Sequence, residues 1–156
     1  MVNIVLHCSD SSFGNSALIG KWHVTERKWS GIGYHYVILN GWLSSTHYNP
    51  KFNGHIETGR PLDNSNSIEK TEIGAHVKGF NSNSIGICLI GKSGQFTEEQ
   101  LYSALELIHD LEEQFNTVNI CQHSDLDSKK PNCAGLNMEG FKTNLEKYKQ
   151  LLSKYK

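Results

Sequence analysis

With 156 residues, 37% of them apolar and 20% charged, the chain is long enough to bury one ordinary hydrophobic core and has the make-up of a globular protein. Fifteen basic against sixteen acidic residues give a net charge of −1, which lacks the broad positive field of a nucleic-acid partner. Apolar stretches such as Ile85 to Ile90 fall far short of the roughly 20 residues that span a bilayer, so no membrane association is expected.

In chain order, Val2 to Leu6 is short and β-branched and predicts a buried strand that delivers His7 at its end. Ser16 to Lys28 carries Leu18, Ile19 and Trp22 at the spacing of an amphipathic helix, which Gly31 ends. Gly33 to Leu39 reads as a second strand. Asn40-Gly41, Asn49-Pro50 and Asn53-Gly54 are turn signals, so the stretch to Gly59 reads as a hairpin with a long excursion. Asn64 to Lys70 is a polar surface loop, and Ile73 to Phe80 leads into a strand from Ser84 to Ile90. Thr97 and Gln100 form a capping box ahead of Leu101, Ala104, Leu105, Ile108, Leu111 and Phe115, the clearest helix of the chain. Val118 to Gln122 is a strand delivering His123, and Met138 to Tyr155 a closing helix. The interleaving predicts an α/β (α+β) single domain over 1–156, a central mixed sheet flanked by about three helices.

His7 and His123 stand at strand ends, and Cys133 follows after a nine-residue loop. Two imidazoles and a thiolate with a fourth position open to water make a catalytic zinc pattern. On spacing alone, buried structural histidines and an inert thiol explain the same residues. Three of the four cysteines (Cys8, Cys88, Cys121, Cys133) lie in or beside strand-like runs, so free thiols, one a metal ligand, are expected.

The order of segments resembles the zinc N-acetylmuramoyl-L-alanine amidases of phage lysozyme type and, through them, the peptidoglycan recognition proteins. The segments are Leu6-His7-Cys8-Ser9, Gly33-Tyr34-His35-Tyr36-Val37-Ile38, Gly59-Arg60, Ile73-Gly74-Ala75-His76-Val77-Lys78-Gly79-Phe80-Asn81, Asn83-Ser84-Ile85-Gly86-Ile87-Cys88-Leu89-Ile90-Gly91 and Gln122-His123-Ser124-Asp125, closing with Cys133. The resemblance implies a Zn²⁺ ion on His7, His123 and Cys133, with Tyr34 beside the attacking water and a lysine shortly before Cys133 aiding the reaction. The implied reaction is hydrolysis of the amide between the lactyl group of N-acetylmuramic acid and L-Ala of the stem peptide in peptidoglycan.

The chain departs from that pattern in its lysine. Pro131 stands where relatives carry it, which leaves Lys130 as the assignment and Lys129 as the alternative. Residues 42–52 exceed a minimal hairpin turn and form either a wall of the groove or a decorated loop. Some relatives carry a glutamate base at the position of Cys88, as phage-type members do not, so metal, Tyr34 and lysine carry the chemistry.

His35, next to Tyr34, falls on the opposite strand face and reads as structural. For His76, substrate contact and loop hydrogen bonding both stand; for Arg60, pairing with a stem-peptide carboxylate stands beside a structural ion pair. Core packing suits Trp22, while His23, His47, His55 and His109 read as ordinary surface or helix residues. The lysines Lys147, Lys149, Lys154 and Lys156 cap a helix dipole.

The competing reading is a non-hydrolytic peptidoglycan-binding protein, against which the three ligands and Tyr34 speak. The first seven residues show no basic leader or cleavage site, so a monomer made in the cytoplasm without a signal peptide and acting on the cell wall after release, as a phage-type endolysin does, is expected.

Overall fold

Five strands, β1 (Val2–Cys8), β2 (Tyr36–Ser44), β3 (His47–Thr58), β4 (Ser84–Leu89) and β5 (Val118–Gln122), form one sheet of order β3-β2-β4-β1-β5 in the computed structural model, which describes residues 1–155. β1 runs parallel to both β4 and β5, and β2 runs parallel to β4; the β2–β3 hairpin is antiparallel. The sheet is therefore mixed, as expected. The parallel pairings bring the carboxyl ends of β1, β4 and β5 to one edge, the place where open sheets gather sites.

Alternation along β1 divides its side chains between two layers. Ile4 and Leu6 join the larger core, with Ile85, Ile87 and Leu89 of β4 and with Ala104, Leu107, Ile108, Leu111 and Phe115 of helix α2 (Glu98–Phe115). Phe141 and Leu145 of helix α4 (Met138–Ser153) close that layer. Val5 lies on the opposite face with Val77 and Cys121, while helix α1 (Ser16–Thr25) covers Val37, Leu39 and Ile90 through Ile19. A further helix, α3 (His123–Leu126), is a single turn directly after β5, so the sheet carries four α-helices. None is long and apolar enough to cross a membrane.

The capping box of α2 forms as the sequence predicts: Thr97 Oγ1 accepts from Gln100 N at 3.0 Å, and Gln100 Oε1 accepts from Thr97 N at 2.9 Å. The fully buried Gln100 amide also donates to the carbonyls of Ile38 and Ile90 at 3.0 and 2.9 Å, tying the helix start to β2 and to the chain just after β4.

Three expected boundaries move. The helix predicted to Lys28 ends at Thr25, and the second strand begins at Tyr36, leaving Tyr34 and His35 in the bend before it. The predicted excursion is instead a continuous hairpin whose turn lies at Ser45 and Thr46. Asn40-Gly41 and Asn53-Gly54 sit inside strands at register shifts, with Gly41 and Gly54 at φ of 95° and 84°. They act as β-bulges, where an extra residue needs the same positive φ that a turn needs. Gly54 also lets Glu99 approach, since a Cβ there would lie 2.9 Å from the Glu99 carbonyl oxygen.

Candidate metal centre

His7 is the penultimate residue of β1, and His123 is the first residue after β5. Because Leu6 is in register with Gln122, the two imidazoles emerge side by side, their Nδ1 atoms 3.1 Å apart. The loop after α3 returns Cys133 to the same point, where its Sγ accepts a hydrogen bond from the Cys8 N–H at 3.2 Å. The ligand atoms of His7, His123 and Cys133 all lie within 4.8 Å of one another. A tetrahedral zinc with Zn–N bonds of about 2.0–2.1 Å sets its nitrogen ligands about 3.3 Å apart, so the imidazole pair has the required spacing.

The electrostatics suit ligands. Burial, with the neighbouring His76 and His123 charges, pushes His7 well below its usual pKa, so it is a neutral imidazole. Burial also lowers His123, opposed by Asp127 and assisted by Lys130. The outer nitrogen of His7 is engaged, its Nε2 2.9 Å from His76 Nδ1, while His123 Nε2 faces the Asp127 carboxylate at 3.7 Å. The proximity of the Cys8 and Cys133 thiols lowers the pKa of Cys8 and, with burial, raises that of Cys133. All four cysteines are free.

Tyr34 packs on His7 with ring centroids 5.1 Å apart and lines a groove of about 1280 Å³. Burial, then the coulombic influence of the neighbouring Cys88, Cys133 and Cys8 side chains, keeps its phenol pKa well above normal, so the hydroxyl stays protonated and can donate. The stack continues through His23 (5.5 Å from Tyr34) and Trp29 (4.5 Å from His23), over which the Arg27 guanidinium lies at 5.2 Å.

His23 is thus part of the groove wall and not a surface residue. It is buried on the same face of α1 as Ile19, four residues earlier, and its Nδ1 accepts the Gly33 N–H at 3.0 Å. That helical period was the available signal, and its polar ring hid it.

Lys129 and Lys130 are both exposed on the groove lip, in a turn closed by Lys130 N donating to Asp127 O at 3.0 Å. Of the two, Lys130 is the one whose charge reaches His123. Arg60 is not brought to the groove: its Nε and Nη2 donate to the Ile32 carbonyl at 3.2 and 3.1 Å. His76 lies at the inner end of the groove and is buried. His35 is structural as expected, its Nε2 donating to Glu72 O at 2.6 Å and its Nδ1 accepting from Gly86 N at 3.0 Å. Residues 42–52 contribute nothing to the groove, and Trp22 of α1 packs, half-buried, against the cluster of Ile19, Val37, Leu39 and Ile90. Cys88 is fully buried, with burial raising its thiol pKa.

Residues 2–135 match the family described as N-acetylmuramoyl-L-alanine amidase. The chain is 29% identical over 136 residues to the endolysin of Klebsiella phage KP32, covering 81% of this chain and 76% of that protein. Among solved structures it is similar to the N-acetylmuramoyl-L-alanine amidase LysC from Clostridium intestinale, with a TM-score of 0.72 and 27% identity over 92% of this chain and 84% of that one. Drosophila PGRP-LB shares the fold at a TM-score of 0.64 and 22% identity, covering 85% of this chain and 74% of that one.

Proposed function

Because the chain belongs to the N-acetylmuramoyl-L-alanine amidase family, we propose that His7, His123 and Cys133 hold a zinc ion at the floor of the groove, where Tyr34 and Lys130 serve the reaction. The enzyme is a peptidoglycan amidase of the phage endolysin type, hydrolysing the amide between the lactyl group of N-acetylmuramic acid and L-Ala of the stem peptide. The observation that carries the metal reading is the convergence of three ligand atoms, from residues 7, 123 and 133, within 4.8 Å.

A zinc ion bound there supplies a Lewis acid and lowers the pKa of water from about 15.7 to about 7. The neutral Tyr34 hydroxyl orients the attacking water and passes a proton to the departing nitrogen. The Lys130 ammonium faces the charge that grows on the carbonyl oxygen. As the water oxygen bonds to the lactyl carbon, the C–N bond breaks and the proton ends on the L-Ala amine. The products are a lactyl carboxylate on the glycan and a free stem peptide. Residues 1–156 act in this reading as one catalytic domain, a monomer working on the cell wall.

Mass spectrometry of peptides released from purified sacculi tests the reading, with as-isolated, chelated and zinc-restored protein compared at quantified metal content. Free peptides beginning at L-Ala, lost on chelation and regained with zinc, are expected. Release that persists in fully chelated protein overturns the metal assignment.

A further inference from the structure

We propose that His76 is a positioning residue for His7: its Nδ1, 2.9 Å from His7 Nε2, sets the His7 ring so that its Nδ1 lone pair faces His123 and Cys133. The proposal rests on the zinc reading above and assigns His76 a partner in the protein and none in the substrate.

The chain around His76 is built to hold one ring in one place. The N–H groups of His76 and Val77 both donate to Asn81 Oδ1 at 2.9 Å, so a single carboxamide closes the loop beneath the histidine. Ala75 N donates to Gly33 O at 3.0 Å, anchoring the loop to the bend that carries Tyr34. The imidazole then lies across Gly86 of β4, where a Cβ would fall 2.6 Å from His76 Cγ. Gly86 is in register with Val5, two residues before His7. A side chain at 86 would occupy the space that lets the two imidazoles meet.

Neither ring nitrogen of His76 is available to a ligand in the groove. Nδ1 is engaged by His7, and Nε2 is buried from solvent without a well-aligned hydrogen-bond partner. A proton on His76 Nε2 leaves Nδ1 as acceptor, His7 then donates from Nε2, and His7 Nδ1 is left bare. The other tautomer of His7 would put a proton on the atom that must ligate. His123 has a carboxylate near its outer nitrogen, Asp127 Oδ2 at 3.7 Å from Nε2. Outer partners of this kind orient ligating imidazoles and raise their basicity.

The test is zinc affinity, measured by competition with a chromogenic chelator on wild type, His76→Ala, His76→Asn and Cys133→Ala, together with the visible spectrum of each cobalt-substituted protein. His76→Ala is expected to lose about 10–100-fold in affinity and to shift the cobalt bands. His76→Asn, whose Oδ1 takes the place of Nδ1, recovers most of that loss. Wild-type affinity and spectrum in His76→Ala, with only a raised KM, overturn the proposal and return His76 to substrate contact. Zinc bound by wild type and lost in Cys133→Ala keeps the metal reading standing whichever way His76 falls; no zinc in wild type overturns both. Should His76→Ala fail to fold, Gly86→Ala carries the test, because it displaces the ring while keeping the histidine. Unchanged affinity in a folded Gly86→Ala overturns the proposal equally.

Discussion

Zinc at a hundredfold excess over its Kd stabilises a protein that binds it only when folded by about 2.7 kcal/mol. The cluster exists only in the fold, since His7, His123 and Cys133 reach one point through the β1–β5 pairing and the return of the loop after α3. For a chain of 156 residues each kcal/mol moves Tm by about 2–4 °C, so saturating zinc raises it by about 5–11 °C. Differential scanning calorimetry of chelated and zinc-loaded protein measures the shift, with Cys133→Ala and His123→Ala as variants that lose it. Cys121→Ser serves as the control, because that buried thiol packs beside Val5 and Val77 and is not among the three converging ligands. An equal zinc-dependent rise in Cys133→Ala and wild type would refute the ligand set.

Tyr34→Phe keeps the ring stacked between His7 and His23 and removes only the hydroxyl, so kcat on sacculi falls about 10²–10³-fold while bound zinc stays at the wild-type level. Lys130→Ala is expected to show a loss of the same order and Lys129→Ala to stay near wild type, although both line the groove; the reverse ranking, read from peptide release, would transfer the role. Arg60→Ala removes the tie to the Ile32 carbonyl, so Tm drops while KM for sacculi holds. Burial, assisted by Arg27, depresses His23 from 6.5 to about 4, so the unfolded chain takes up its proton first. Stability is full above pH 6.5 and declines as pH falls towards 4. Urea titrations across that window should show a shallower decline in His23→Asn, which keeps an acceptor for Gly33 N–H without the titration.

The strand ends that carry His7 and His123 can be read from short apolar runs, but it is the order of segments shared with the amidase family that joins them to Cys133 as one site. His7 and His123 follow from Val2–Leu6 and Val118–Gln122, and α2 from a capping box and a clean helical period. The hairpin was misread because Asn-Gly favours positive φ in a turn and in a bulge alike. Only the partner strand, which keeps pairing through Asn40 and Asn53, separates the two. His23 escaped because a polar residue on a buried face carries no hydrophobic signal, although its neighbours in space are Trp29 and Tyr34. Which acceptor or ring Arg60 and His76 meet depends on contacts with Ile32 and His7 that no local pattern encodes.

The central position of β1 also bears on how the chain is made. Its neighbours are β4 and β5, and Val2 pairs with Val118, which is synthesised 116 residues later. At about 5–20 residues per second a ribosome takes on the order of 6–23 s to cover that distance. Until β4 emerges, 81 residues after Asn3, the apolar stretch from Val2 to Leu6 has no partner strand, and its second edge stays open until β5 follows. Because Cys133 emerges later still, a chain that stops before it lacks one of the three proposed ligands.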